Sequence, residues 1–199
     1  MPISRETFAI GMTGDAFLEH AEANKAKFLE NVDLATFSDD DLQFFRDNPV
    51  SIAAIGEDWC TDVVHFLPVV IKLSREVPGV ELRVFLRDST DLIDGYLNQG
   101  VHKSIPVFVV YDQDWNELGH FIERPAGATK QMAEESARFA RENVHLEGVN
   151  RTYDKMPDET RQTVRANSAN FRWSNFDAWN QLFLDELKQI VRGGVAVGD

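Results

Sequence analysis

The stretch "GEDWCTDVVHFLP", Gly56 to Pro68, decides how the rest of the chain is read. It holds the only cysteine among 199 residues, Cys60, between Trp59 and a run that turns helical. Just upstream, "VSIAAIGE" (Val50 to Glu57) is a short, nearly continuous apolar run, the pattern of a strand buried on both faces of a sheet that helices cover. Downstream from Asp62, the residues Val63, Phe66, Leu67, Val70, Ile71 and Leu73 recur at helical spacing until "VPG" at Val77 to Gly79 ends the run. Cys60 therefore sits where a buried strand stops and a helix starts. Pro68 falls inside that helix, where a proline forfeits a backbone hydrogen bond at a cost of roughly 3 kcal/mol, so we assign it a structural role as a kink.

Working outward, "VELRVFLRD" (Val80 to Asp88) alternates as a strand, "STDLIDGYLNQG" reads as a short helix opening at a Ser/Thr cap, and "SIPVFVVYD" (Ser104 to Asp112) is a β-branched and aromatic strand. "DQDWN" makes a tight turn, "ELGHFIER" the other arm of a hairpin, and "GATKQMAEESARFARENV" a long amphipathic helix. The order is β-α-β-α-β-β-α. Right-handed crossovers make the first part parallel and covered by helices, and the hairpin supplies an antiparallel edge, so the sheet is mixed and the class is α/β. Before this core, an apolar stripe at Phe17, Leu18 and Ala21 continues to Phe28 and Leu29 as helix, and "FSDDDLQFFRDNP" is a short helix with Ser38 as N-cap and Pro49 as stop. After it, the chain is polar and interrupted from Leu146, then helical in "DAWNQLFLDELKQIV", with "RGGVAVGD" expected to fray. We expect a single domain: N-terminal helices over 1–49, a core over 50–145 and a C-terminal helical extension over 146–199.

Charge and composition narrow the function. Twenty basic against thirty-three acidic side chains give a formal charge of −13, which repels phosphate backbones and anionic membranes, so neither nucleic acid nor a membrane is expected as a partner. No basic region precedes an apolar leader, and no stretch approaches the roughly 20 apolar residues that span a bilayer. One cysteine excludes an internal disulfide framework and suits a reducing compartment, so a cytoplasmic protein is expected. The five histidines, His20, His65, His102, His120 and His145, show no pair at metal-ligand spacing, and no glycine-rich phosphate loop is present, so neither metal nor cofactor is called for. His65, five residues beyond Cys60, reads as a surface residue.

These motifs together resemble the thioredoxin family, over roughly Val50 to Pro125. That family carries Trp-Cys-x-x-Cys after a buried strand, a proline five residues beyond the second cysteine, and an Ile-Pro or similar pair, its proline cis, opening a later strand. Trp59, Cys60 and Pro68, then Ile105 and Pro106, stand in those places. The "WCTDV" motif and the Arg124-Pro125 pair are similar to a bacterial branch written Trp-Cys-x-Asp-Cys. Two departures concern one chemical step. Val63 stands where the resolving cysteine belongs, and Ala54 where the family commonly buries a carboxylate that serves the resolving thiol.

The resemblance implies a monothiol. Cys60 would attack a mixed disulfide or take up a low-molecular-weight thiol, and an external thiol would regenerate it. Pro106 would position a substrate backbone, Ile105 and Trp59 would shape the groove, and the backbone around Thr61, Asp62 and Val63 would stabilise thiolate. A cysteine at a helix N-terminus favours thiolate, but Glu57, Asp58 and Asp62 oppose it, so the thiolate is expected to be less favoured than in a dithiol oxidoreductase. The signature Cys-Gly-Phe-Ser of cluster-binding monothiol glutaredoxins is absent. Arg151, Arg161, Arg165, Arg172 and Trp173 either wall the groove and bind an anionic thiol or form a solvated face. The rival to a redox role is an inert Cys60 in a binding module that holds extended peptide, the added helices serving a partner protein or a second copy in a homodimer.

Overall fold

The computed structural model describes residues 2–193, so most of the tail expected to fray lies outside the described residues. Four helices, α1 (Arg5–Ala9), α2 (Gly14–His20), α3 (Lys25–Leu34) and α4 (Asp39–Asp47), precede strand β1 (Val50–Gly56). Helix α5 (Thr61–Glu76), strands β2 (Val80–Leu86), β3 (Val107–Tyr111) and β4 (Glu117–Ile122), and helix α6 (Ala126–Glu142) follow. Helices α7 (Asp158–Ser174) and α8 (Phe176–Val191) complete the described chain.

The four strands form one mixed sheet in the order β2-β1-β3-β4. β1 runs parallel to β2, Val50 opposite Val80 through Gly56 opposite Leu86, but the parallel part expected from successive crossovers stops there. β3 lies antiparallel to β1, Ser51 opposite Tyr111 through Ile55 opposite Val107, because no α-helix carries the chain across between β2 and β3. All seven residues of β1 are buried, as its unbroken apolar run requires. One face carries Ala54, Phe108 and Phe121 as cross-strand neighbours, and Phe66 of α5 and Phe183 of α8 pack on it with ring centroids between 4.8 and 6.2 Å apart.

The opposite face is covered differently from expectation. "STDLIDGYLNQG" forms no α-helix; it holds one 3-10 turn, Leu92–Gly95, and another, Arg87–Ser89, leads into it and ends β2 at Leu86 rather than at Asp88. With Gly95 and Gly100 so close together, the run is too short to pay for helix nucleation. Instead Ile93 and Tyr96 are buried, and the Tyr96 hydroxyl meets the Tyr111 hydroxyl at 3.3 Å beneath that face.

Two other sequence readings change. The stripe read from Phe17 to Leu29 is broken at Ala21, because the Asp58 carboxylate accepts the N–H groups of Glu22 and Ala23 at 2.7 and 2.8 Å and Asn24 takes a left-handed conformation. Leu29 is left exposed. The stretch read as polar and interrupted holds the seventeen-residue α7, of which only Thr160 and Arg172 are buried. Its start was marked by Pro157 followed by Asp158 and Glu159, but too few apolar side chains supply a periodic signal.

Pro68 has a specific accommodation. Lacking an N–H, it leaves the Val64 carbonyl, four residues back, without its helical donor, and the buried Asn31 amide on α3 donates to that carbonyl at 2.8 Å. Asn31→Ala should therefore cost roughly 1–3 kcal/mol by orphaning a buried acceptor. Urea denaturation checks this, and an unchanged midpoint would mean that the Asn31 contact contributes nothing.

Candidate functional site

Cys60 is the N-cap of α5, in an extended conformation that ends the strand-to-helix turn. It is half-buried, and its Sγ donates to the Ile105 carbonyl at 3.5 Å. Ile105 is joined to Pro106 by a cis peptide bond, and the Pro106 carbonyl accepts the Glu123 N–H at 2.8 Å, fixing the start of β3 beside the thiol. Val63 is fully buried, and its methyl groups lie so close to Gly56 that a Cβ there would sit 3.0 Å from them. Ala54 is likewise sealed in the core.

The sulfur borders an open space that Pro106 does not line. A cavity of about 340 Å³ has Trp59, Cys60 and Thr61 on one wall and Arg165, Ser168, Ala169, Arg172 and Trp173 of α7 on the other. The structure thus brings Trp59, Cys60 and Thr61 together on that wall. Val63, Ile105 and Pro106 lie off the cavity, and Asp62 reaches it only through a partner. Asp62 is buried and pairs with Arg172 at 2.5 Å, with Arg124 Nη1 3.8 Å from its other oxygen. Arg172 is therefore no solvated-face residue. Of the other tail cations, Arg161 pairs with Asp158 and Arg151 lines a separate cavity between α6 and α7.

The electrostatics of the thiol follow from these neighbours. Burial pushes the Cys60 thiol above its ordinary value; the Val63 N–H opposes this, the Asp62 charge adds to it, and the Asp62 N–H and Arg172 oppose it. The remaining carboxylates expected to crowd it are engaged elsewhere: Asp58 caps the turn after α2, and Glu57 accepts the Asp88 N–H at 2.8 Å. Trp59 is half exposed, with the Arg87 guanidinium 4.9 Å over its ring.

His65 overturns the surface reading. It is fully buried, stacked between Trp173 and Trp179 at centroid distances of 5.6 Å. Neither ring nitrogen makes a hydrogen bond, although the Phe176 backbone and the Asn180 amide lie close by. Burial first, and then the Arg172 charge, bring its pKa down to about 3. Nothing in the local spacing of α5 could reveal this, because the aromatic residues that cover it come from α7 and α8.

A family model described as Thioredoxin matches residues 11–138. The chain belongs to the thioredoxin family. No curated protein matches it. Among solved structures it is similar to an HIV epitope-scaffold, with a TM-score of 0.62 at 17% identity, covering 95% of this chain and 97% of that one. It is also similar to a protein of unknown function from Pseudomonas aeruginosa, with a TM-score of 0.58 at 19% identity, covering 87% of this chain and 99% of that one. Both likenesses concern the fold alone. The thioredoxin match ends before α7 and α8, so one wall of the cavity is family core and the other is added to it. Among the described residues no helix is long and apolar enough to cross a membrane.

Proposed function

We propose that the protein carries out thiol-disulfide exchange through Cys60 alone, with Val63 in the place of a resolving cysteine. The observation that carries this reading is the sulfur's position: at the N-cap of α5, within reach of the Asp62 and Val63 N–H groups, and open to a cavity. The Cys60 thiol first loses its proton to water. The thiolate attacks one sulfur of a substrate disulfide R′S–SR; the substrate S–S bond breaks, R′S⁻ leaves and takes a proton, and a Cys60–S–SR bond forms. A second thiol, RSH, attacks that mixed disulfide as its thiolate, releases RSSR and restores Cys60. Trp59 and Thr61 wall the approach, Asp62 holds Arg172 in place, and the Ile105 carbonyl, before Pro106, accepts from the sulfur. A cytoplasmic setting would keep the lone thiol reduced.

Because burial holds Cys60 above the ordinary thiol range, its reaction rate with a chromogenic disulfide should still be rising at a pH where a free cysteine has levelled off. Stopped-flow rates across pH 6–10 check this, with Cys60→Ser as the blank. A rate more than about tenfold below that of a free thiolate of equal pKa would rule out exchange. The raised pKa favours one other reading, a redox-silent module using the same fold to bind a partner. Failure of any thiol adduct to form and reverse on Cys60, read by intact mass, would select it.

A further inference from the structure

We infer that the cavity beside Cys60 takes a low-molecular-weight thiol or disulfide bearing a carboxylate, held between Arg165 and the free edge of Arg172; the choice of a thiol rests on the exchange reading above. Size comes first. At about 340 Å³ the cavity falls at the lower end of the roughly 300–1,000 Å³ typical of small-molecule sites. Charge comes next. The chain carries −13 overall, yet no acidic side chain lines this cavity and two guanidinium groups do.

Arg172 points most directly to a ligand. It is only 6% exposed, and Nη1 donates to Asp62, but among the described residues the rest of its guanidinium makes no hydrogen bond. Arginine has five N–H donors; the Arg172 guanidinium packs 5.7 Å over the Trp179 ring, and the donors that Asp62 does not take sit on the cavity wall, where water or an entering ligand can accept from them. Arg165, two turns earlier on α7, makes no ion pair among the described residues. Two forked cations on one helix match the planar geometry of a carboxylate. Arg87 over the Trp59 ring and Lys27 over the Trp173 ring, at 4.9 and 4.7 Å, are already paired with Asp88 and Glu30, so the two α7 arginines carry the positive charge of the cavity wall. In the exchange steps above, the anionic disulfide is the oxidant and a second molecule of the same thiol class is the reductant.

Three probe disulfides test this on the full-length protein: oxidised glutathione (anionic), hydroxyethyl disulfide (neutral) and cystamine (cationic). Each Cys60 rate is divided by the rate of free N-acetylcysteine with the same probe. The anionic-to-neutral ratio should exceed one by about tenfold at low salt and fall as salt is added. Arg165→Gln should cut that ratio by about three- to tenfold. An anionic ratio no greater than the neutral one, or one unmoved by Arg165→Gln, overturns the inference while leaving Cys60 exchange intact. A second readout needs no reaction: reduced glutathione should bind Cys60→Ser protein saturably by NMR titration, more weakly when Arg165→Gln is added. Absence of binding overturns the inference, whereas binding without reactivity of Cys60 towards any probe supports the carboxylate site and sinks exchange.

Discussion

Arg172→Met is expected to destabilise the protein by about 2–4 kcal/mol and to push the Cys60 thiol further up. Arg172 and Asp62 are 110 residues apart in sequence and are both buried, with side chains 8% and 11% exposed. Removing one partner leaves the other as an uncompensated charge in a poorly hydrated site, which costs more than the pair itself contributes. Arg124, 3.8 Å from Asp62, retains part of the compensation, which keeps the effect below the largest losses seen for buried pairs. The thiol responds because Arg172 is among the groups that lower its pKa and Asp62 among those that raise it. Urea denaturation gives the first effect, and thiolate absorbance against pH the second. Adding Asp62→Asn should restore part of the stability, since the stranded charge is gone. A loss below about 0.5 kcal/mol, the range of an exposed pair, would show that the contact is solvated.

His65 should make the fold acid-sensitive. Its neutral form is enforced by burial, with a pKa of about 3 against 6.5 for an unperturbed imidazole. The unfolded chain binds a proton below 6.5 and the folded protein does not, so stability is fully present above 6.5 and falls as pH drops from 6.5 towards 3. Across that window the imidazole alone can remove on the order of 4 kcal/mol, and by pH 4.5 roughly 2–3 kcal/mol. His65→Phe keeps a ring between Trp173 and Trp179 and removes the titration. Comparing urea midpoints of both proteins at pH 7 and 4.5 isolates the imidazole from the carboxylates, which titrate in both. Parallel pH dependence would mean that the ring protonates in place.

Legibility divides by the range of the interactions. The buried β1, the helix after Cys60, the interior Pro68 and the Ile105-Pro106 pair could be read because each rests on neighbours within a few residues. The segment after β2 could not, since its helix-like opening loses to the burial of Ile93 and Tyr96. The site divides the same way. Trp59, Cys60 and Thr61 were found as one motif; of the tail residues read either as a groove wall or as a solvated face, Arg165, Arg172 and Trp173 line the cavity, a choice the sequence left open because α7 carries few apolar side chains to fix its packing.

The sequence by itself determined that a lone thiol caps a helix at the end of a buried strand, with no second cysteine in the chain, because composition, turn chemistry and hydrophobic period are read without knowing the packing. Only the tertiary structure decided what that thiol faces. Arg172 must cross the molecule to meet Asp62, and Trp173 and Trp179 must close over His65. Such contacts depend on where packed helices come to rest, and charge pairing and desolvation act through space rather than along the chain.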